Sequence, residues 1–144
     1  MAFRFVRIND ITTDFERPPT FWVQPPRDPD YDEYRFRAKT ERAYGHLKNL
    51  TLPFAPEAAY RLVLDLMRDW GWQIAAQDDA QRRVQAVVIT AALHFRDDVV
   101  VEVRPGSDDK ESVVAMRSKS RLGVSDFGAN AKRIRVFFAD LARG

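Results

Sequence analysis

The last 28 residues constrain the fold of this chain more than any other stretch, because they are typical of a strand, a turn and a helix in direct succession. The apolar residues recur at three- and four-residue spacing, which lays a stripe along one side of a helix: Phe127, Ala131, Ile134, Phe138 and Leu141. Asp126, or Ser125 before it, is a candidate N-cap for this helix. The pattern predicts a C-terminal helix that closes over a sheet.

The strand before this helix is predicted over residues 112–121. Successive side chains of a strand point to opposite faces. One face therefore carries Val114, Met116, Ser118 and Ser120, and the other carries Ala115, Arg117, Lys119 and Arg121. The preceding predicted strand, residues 97–104, places Asp98 and Glu102 on its outward face. Antiparallel pairing brings these carboxylates beside the cations, and we expect a solvent-exposed charge ladder.

Periodicity along the rest of the chain predicts an α+β fold. The pattern predicts a strand at 46–52, a helix at 56–70 that Gly71 ends, and strands at 72–77 and 83–90. The element order predicts an antiparallel β-meander of about four to five strands packed against an internal helix and a long C-terminal helix. The same layout occurs in helix-grip, START-like ligand folds, in which the space between sheet and closing helix can stay open as a cavity.

Residues 1–45 are predicted to form an extended arm, rich in proline and aromatic residues, that packs on an α+β domain spanning 46–144. This segment holds five of the eight prolines and nine of the seventeen aromatic residues. Proline favours extended geometry, and a free disordered tail has few aromatic residues. We expect a compact turn at 9–14, a short helix at 33–44, and burial of Phe15, Phe21, Trp22 and Tyr31.

Composition excludes several classes of site. The chain has no cysteine, which excludes disulfides, thiol nucleophiles and thiolate metal sites. His46 and His94 stand alone, so no metal ion or cofactor is predicted. A net charge of +2 gives no reason to expect specific nucleic-acid binding. No apolar run is long enough for a membrane span and no signal peptide is recognisable, so we expect a cytoplasmic location.

Four blocks of the sequence resemble the family known as domain of unknown function 1499. They are Asn9-Asp10-Ile-Thr-Thr, Gly71-Trp72, Asp97-Asp98-Val-Val-Val, and Arg117-Ser-Lys-Ser-Arg-Leu-Gly-Val-Ser-Asp-Phe-Gly-Ala-Asn-Ala-Lys-Arg-Ile. They span nearly the whole chain, and the last block is long enough to be specific. The resemblance implies a family widespread in bacteria, with plastid relatives, whose biochemical role is not established. Some members carry an N-terminal membrane segment, which we do not find in this sequence.

Polar residues around the start of the C-terminal helix form the candidate ligand-binding set. Its members are Arg117, Ser118, Ser120, Arg121, Asp126, Asn130 and Arg133. The leading hypothesis is a binding module for a small anionic or amphipathic ligand, with these groups at the polar end of the space under the helix. A second predicted set, Asp97, Asp98, Asn9 and Asp10, is assigned to a structural polar network. A packed core without any ligand is the competing interpretation.

Two further functions stay open from the sequence. Residues 117–144 carry seven basic and two acidic residues, so this segment can dock on an acidic partner or an anionic lipid surface. A hydrolase-like enzyme with Asp97 or Asp98 as its base is the other alternative. These two carboxylates are adjacent on a strand and face opposite ways, so they cannot act as a matched pair. No catalytic residue is assigned.

Overall fold

The computed structural model of the chain describes residues 8–23, 30–45, 47–91, 93–122 and 128–144. Within these ranges the chain forms six strands and three helices. In chain order they are β1 (Asp10–Thr12), α1 (Glu33–Tyr44), β2 (Leu50–Leu52), α2 (Pro56–Asp69), β3 (Gln73–Asp78), β4 (Arg83–Ile89), β5 (Arg96–Pro105), β6 (Ser112–Ser120) and α3 (Ala129–Ala142). The α+β class predicted from the sequence is confirmed.

All strand pairings in the sheet are antiparallel, in the order β1-β6-β5-β4-β3. Strand β2 pairs with the other half of β6, so β1 and β2 share the same edge of that strand. The meander from β3 to β6 is as predicted, and the sheet has more strands than expected because of β1. The sequence predicts a compact turn at residues 9–14, but the structure has strand β1 there. A strand of three residues is too short to produce a recognisable alternation of apolar and polar residues.

The two longer helices, α2 and α3, pack on one face of the sheet. Pro56 suits the first turn of α2, where its missing amide proton costs nothing. On α3, Ile134 and Phe137 are fully buried, and Phe137 stacks on Trp72 with ring centroids 5.1 Å apart. Valines of β5 and Met116 of β6 meet these helices. The space under the closing helix, where a ligand was expected, therefore contains packed core side chains.

Helix α3 begins at Ala129, after Gly128, whose φ of 83° lies in the left-handed region that glycine adopts without strain. The N-cap candidates Asp126 and Ser125, and the first apolar residue of the stripe, Phe127, lie outside the described residues. His46, at the start of the strand predicted over 46–52, also lies outside them.

The N-terminal segment, residues 13–23, lies on the face of the sheet opposite to α2 and α3. The backbone of Pro19 accepts a hydrogen bond from Arg117 of β6, and the backbone of Val23 accepts one from Gln85 of β4. The segment between these two contacts therefore crosses several strands. Phe21 is buried, whereas Phe15, Trp22 and Tyr31 are partly exposed.

The prediction of a solvent-exposed charge ladder on β5 and β6 is wrong. Arg117 is 0% exposed, Asp98 1% and Lys119 7%. The alternation of faces is as predicted, but the N-terminal segment covers the face that carries the charges. Alternation within a strand gives the direction of a side chain and does not show what covers it.

Helix α1 contacts β1 at the edge of the sheet. Its bounds match the helix predicted at 33–44, and the Asp32 carboxylate caps it by accepting a hydrogen bond from the Arg35 amide at 3.0 Å. Phe36 points inward and is 3% exposed. No helix within the described ranges is long and apolar enough to cross a bilayer.

Candidate functional site

The sheet separates the residues of the candidate ligand-binding set. Ser118 and Ser120 point to the helix face, where they meet Asn130 and Arg133 of α3. Arg117 and Arg121 point to the opposite face. Asp126 lies outside the described residues. The period of two along β6 therefore places the hydroxyls and these two guanidinium groups on different sides, and they do not share one space.

On the helix face, the described members of the set bind one another. Ser118 Oγ donates to Asn130 Oδ1 at 2.6 Å, and Asn130 Nδ2 donates to Ser120 Oγ at 2.9 Å. Arg133 Nη1 donates to Ser118 Oγ at 3.0 Å and to Asn130 Oδ1 at 2.7 Å. The network fixes the first turn of α3 on the end of β6.

The same network includes Asp97, one of the two residues considered as a catalytic base. Arg133 Nη2 lies 2.8 Å from Asp97 Oδ2, and the two side chains are 11% and 3% exposed. Ser118 donates its proton to an amide oxygen and not to a base, so this geometry gives no activated nucleophile. Asp97 and Asp98 point to opposite faces, and each is bound to its own arginine.

On the opposite face, Arg117 and Asp10 form a buried ion pair. Arg117 Nε donates to Asp10 Oδ1 at 2.9 Å, and Nη2 donates to Oδ2 at 2.8 Å. The guanidinium carbon lies 4.7 Å from the centroid of the Phe21 ring and 5.7 Å from that of Tyr31. Aromatic faces and a third hydrogen bond, from Nη1 to the Pro19 carbonyl, thus surround a fully desolvated cation.

Lys119 lies between two carboxylates in the register of the sheet, with Asp10 on β1 to one side and Asp98 on β5 to the other. Asp98 is held by Arg121 through two contacts of 2.8 Å, and hydrogen bonding to Asp98 raises the pKa of Arg121. Lys119 Nζ is 3.5 Å from Asp10 Oδ2, which Arg117 already occupies. Among the described residues of β1, β5 and β6 and Arg121 after it, three cations therefore meet two carboxylates on this part of the face, and Lys119 carries the surplus charge.

A cavity of about 400 Å³ borders Lys119. It lies between the start of α1, the residues at β1 and the end of β6, and it is lined by Asn9, Asp10, Asp30, Tyr31, Asp32, Arg35, Phe36 and Lys119. The acidic residues Asp30 and Asp32 are exposed, as is Arg35, whereas the Lys119 side chain is 9% exposed. Burial raises the pKa of Tyr31 to about 12, so its hydroxyl is neutral at physiological pH.

Sequence reasoning missed most of this cavity. Asn9 and Asp10 were assigned to a structural network, and Lys119 was assigned to a surface ladder. One signal was present: the outward face of β6, continued to Arg121 just after the strand, carries three cations, whereas its neighbour β5 supplies two carboxylates, Asp98 and Glu102. Glu102 binds Arg104 at 2.7 Å and therefore leaves that face of β6 with fewer anions than cations.

The basic residues of segment 117–144 do not form one continuous surface. Two of the seven are buried and three others are ion-paired, and together these five are Arg117, Lys119, Arg121, Arg133 and Arg143. Lys132 and Arg135 are exposed on α3. Within the ranges that the structure describes, no group of three or more His, Asp or Glu side chains is arranged to hold a metal ion.

Comparisons with known proteins give a fold and a family model. A crystal structure of an uncharacterised protein from Bacillus thuringiensis is 12% identical, with a TM-score of 0.50, and the match covers 67% of this chain and 91% of that one. The di-domain ARO/CYC BexL from the BE-7585A biosynthetic pathway is 15% identical, with a TM-score of 0.50, over 66% of this chain and 44% of that one. These likenesses show the fold alone.

No curated protein matches the chain. A family model described as "Protein of unknown function (DUF1499)" matches residues 10–141. The match includes all nine helices and strands in the described ranges except the last residue of α3.

Proposed function

The chain belongs to the DUF1499 family, and from this starting point we propose that it is a binding domain for a small amphipathic ligand whose anionic group reaches Lys119. The observation that carries the proposal is the surplus buried cation beside a cavity of about 400 Å³. The family description names no ligand, and the support for the proposal comes from the residues of this chain.

A buried cation needs a counter-charge or hydrogen-bond acceptors, because its desolvation otherwise costs several kcal/mol. For Lys119, the one described ion-pair partner is Asp10, at 3.5 Å, which exceeds the length of a normal charge-assisted hydrogen bond. That carboxylate already receives two shorter hydrogen bonds from Arg117, of 2.9 and 2.8 Å. A carboxylate, sulfonate or phosphate in the cavity would complete the coordination of the ammonium group.

The cavity also has the size and the walls for a small organic ligand. Small-molecule sites usually have volumes of roughly 300–1,000 Å³ and combine apolar walls with a few placed polar groups. The rings of Tyr31 and Phe36 supply apolar surface here. The exposed carboxylates of Asp30 and Asp32 disfavour a second anionic group near the surface. These features favour a ligand with one anionic end and an apolar or cationic remainder.

A titration with anilinonaphthalene sulfonate, a dye that is both aromatic and anionic, tests the proposal. We expect Lys119→Met to weaken dye binding by about tenfold or more, since a hydrogen bond to a charged group contributes ~1.5–3 kcal/mol. Methionine keeps the length and apolar stem of lysine. Native mass spectrometry of the freshly purified protein should also detect a bound small molecule that the variant does not retain.

Lys48→Met is the matched control, because Lys48 is exposed and outside the cavity. We expect the control to bind the dye as the unmodified protein does. Equal dye affinity in all three proteins would show that the dye reports some other apolar surface and would contradict the proposal. Thermal denaturation of each protein would verify that Lys119→Met remains folded.

For the polar residues under α3, we propose a structural role. Ser118, Asn130 and Arg133 bind one another, and Arg133 also binds Asp97. These contacts support a network that positions the closing helix on the sheet. The hydrolase-like alternative with Asp97 or Asp98 gains no support, since each carboxylate is ion-paired and buried.

A further inference from the structure

Four of the exposed large apolar side chains lie at one end of the sheet. Ile89 is the last residue of β4, Leu93 and Phe95 lie in the turn between β4 and β5, and Leu122 follows the end of β6. In the same order they are 42%, 66%, 43% and 63% exposed. The Arg121 amide donates to the Arg96 carbonyl at 3.1 Å, which extends the β5–β6 pairing and brings Leu122 next to this turn. We call these four residues the apolar tip.

The surroundings of the apolar tip are basic. Residues 89–96 contain no acidic residue. Arg96 is exposed and forms no ion pair within the described ranges of the chain. The Arg121 side chain is 38% exposed and is held in place by Asp98, which is 1% exposed. An approaching surface therefore meets apolar side chains flanked by guanidinium groups, without a neighbouring exposed carboxylate on the turn.

This combination fits a lipid bilayer with anionic headgroups. Apolar side chains gain free energy by leaving water, and arginines beside them gain by contacting anionic lipid phosphates. A standard protein interface needs ~800 Å² from each partner, which four partly exposed side chains do not supply.

We propose that the apolar tip is a membrane-surface docking site, which inserts Leu93 into the headgroup region of a bilayer rich in anionic lipid. Leu93 is the most exposed of the four side chains. Arg96 contacts headgroup phosphates beside it. Docking of this kind is peripheral, and it is independent of the cavity at Lys119.

Vesicle flotation tests the proposal. Vesicles of phosphatidylcholine with one-third phosphatidylserine are compared with vesicles of phosphatidylcholine alone. We expect at least tenfold stronger partitioning to the anionic vesicles, weakened by added salt because exposed charges are screened. Leu93→Asp should lower the partition coefficient at least tenfold. Tyr34→Asp is the matched control, since Tyr34 is fully exposed on α1, and it should change partitioning less than twofold.

A second measurement reports insertion directly. The chain has no cysteine, so Leu93→Cys and Tyr34→Cys each accept a single nitrobenzoxadiazole label. We expect the label at position 93 to brighten and shift to the blue on anionic vesicles, while the label at position 34 does not change. Arg96→Gln should weaken binding without moving the position of the label.

Several results would overturn the proposal. These are equal partitioning of Leu93→Asp and the unmodified protein, absence of binding to anionic vesicles, and binding without any change in the label at position 93. A concentration-dependent dimer that Leu93→Asp abolishes, without vesicle binding, would instead assign the apolar tip to a contact between two copies.

Discussion

Arg117 and Asp10 form a two-point ion pair from which solvent is excluded, with side-chain exposures of 0% and 1%. The two residues are 107 positions apart. Arg117 also donates to the Pro19 carbonyl and faces the ring of Phe21. One guanidinium group therefore connects β6, β1 and the N-terminal segment.

Arg117→Met should destabilise the protein by about 3–5 kcal/mol, because the buried Asp10 carboxylate loses both hydrogen bonds from the guanidinium group and keeps only the longer contact of 3.5 Å with Lys119. The measurement is the free energy of unfolding from urea denaturation. Arg42→Met, which changes an exposed arginine of α1, should stay within about 0.5 kcal/mol of the unmodified protein.

The double variant Asp10→Asn with Arg117→Met measures the coupling free energy between the two side chains. We expect it to be more stable than the sum of the two single effects predicts, since neither partner is then a lone buried charge. Simple additivity would show that the two side chains act independently and would contradict this assignment.

Arg133→Met should cost about 3 kcal/mol, because it leaves the buried Asp97 carboxylate without its arginine. The loss of stability should affect the start of α3 in particular as well as the whole protein. Hydrogen exchange of the amides in the first turn of α3 should accelerate more than exchange in α2. A uniform acceleration across both helices would argue against a positioning role for Arg133.

Gln85→Leu should release the N-terminal segment from the sheet. Gln85 Oε1 accepts from the Trp22 amide at 3.1 Å, and Nε2 donates to the Val23 carbonyl at 2.7 Å. Losing these contacts leaves polar groups unpaired, at a cost of about 1–3 kcal/mol. We expect faster exchange at the Trp22 and Val23 amides, and Gln81→Leu, at an exposed position, should leave their exchange rates unchanged.

Asp14 should give the protein an acid-sensitive contribution to stability. Partial burial acts to raise its pKa, but hydrogen bonds from the Arg17 amide and Asn49, together with Arg104, lower that pKa below the ordinary value of 3.8. A carboxyl with a depressed folded-state pKa stabilises above the unfolded value, and this stability is lost as the pH falls through the folded value.

The free energy of unfolding should therefore fall as the pH drops below the ordinary pKa of 3.8, and Asp14→Asn should flatten that slope. The variant should also be less stable than the unmodified protein at neutral pH. Asp109→Asn, at an exposed position, is the control and should keep the original slope. Identical slopes for both variants would contradict the role of Asp14.

Much of the fold could be predicted, because the hydrophobic period of a long segment indicates whether it is a helix or a strand. The bounds of α2, β4, β5 and β6 agree with the sequence prediction within a residue or two. Strand β1 could not be predicted, since its three residues are extended through pairing with β6, which lies far away in sequence. Tertiary context overrides local pattern at such short elements.

The candidate site was less predictable. Alternation correctly separated Ser118 from Arg117, yet both were assigned to one ligand site. Lys119 was interpreted as a surface residue because nothing in its own strand indicates that the N-terminal segment covers it. The buried surplus charge becomes visible once Asp10 and Asp98 are placed on either side of it.

The pairing of β1 with β6 has a consequence for how the molecule forms. During synthesis, β1 cannot pair until the chain has been extended past its partner near residue 119. Contacts between such distant positions slow folding, because a large loop must close before they gain any stability. We therefore expect the meander, α2 and α3 to assemble first. Strand β1 and the N-terminal segment should then dock last, in a rate-limiting step.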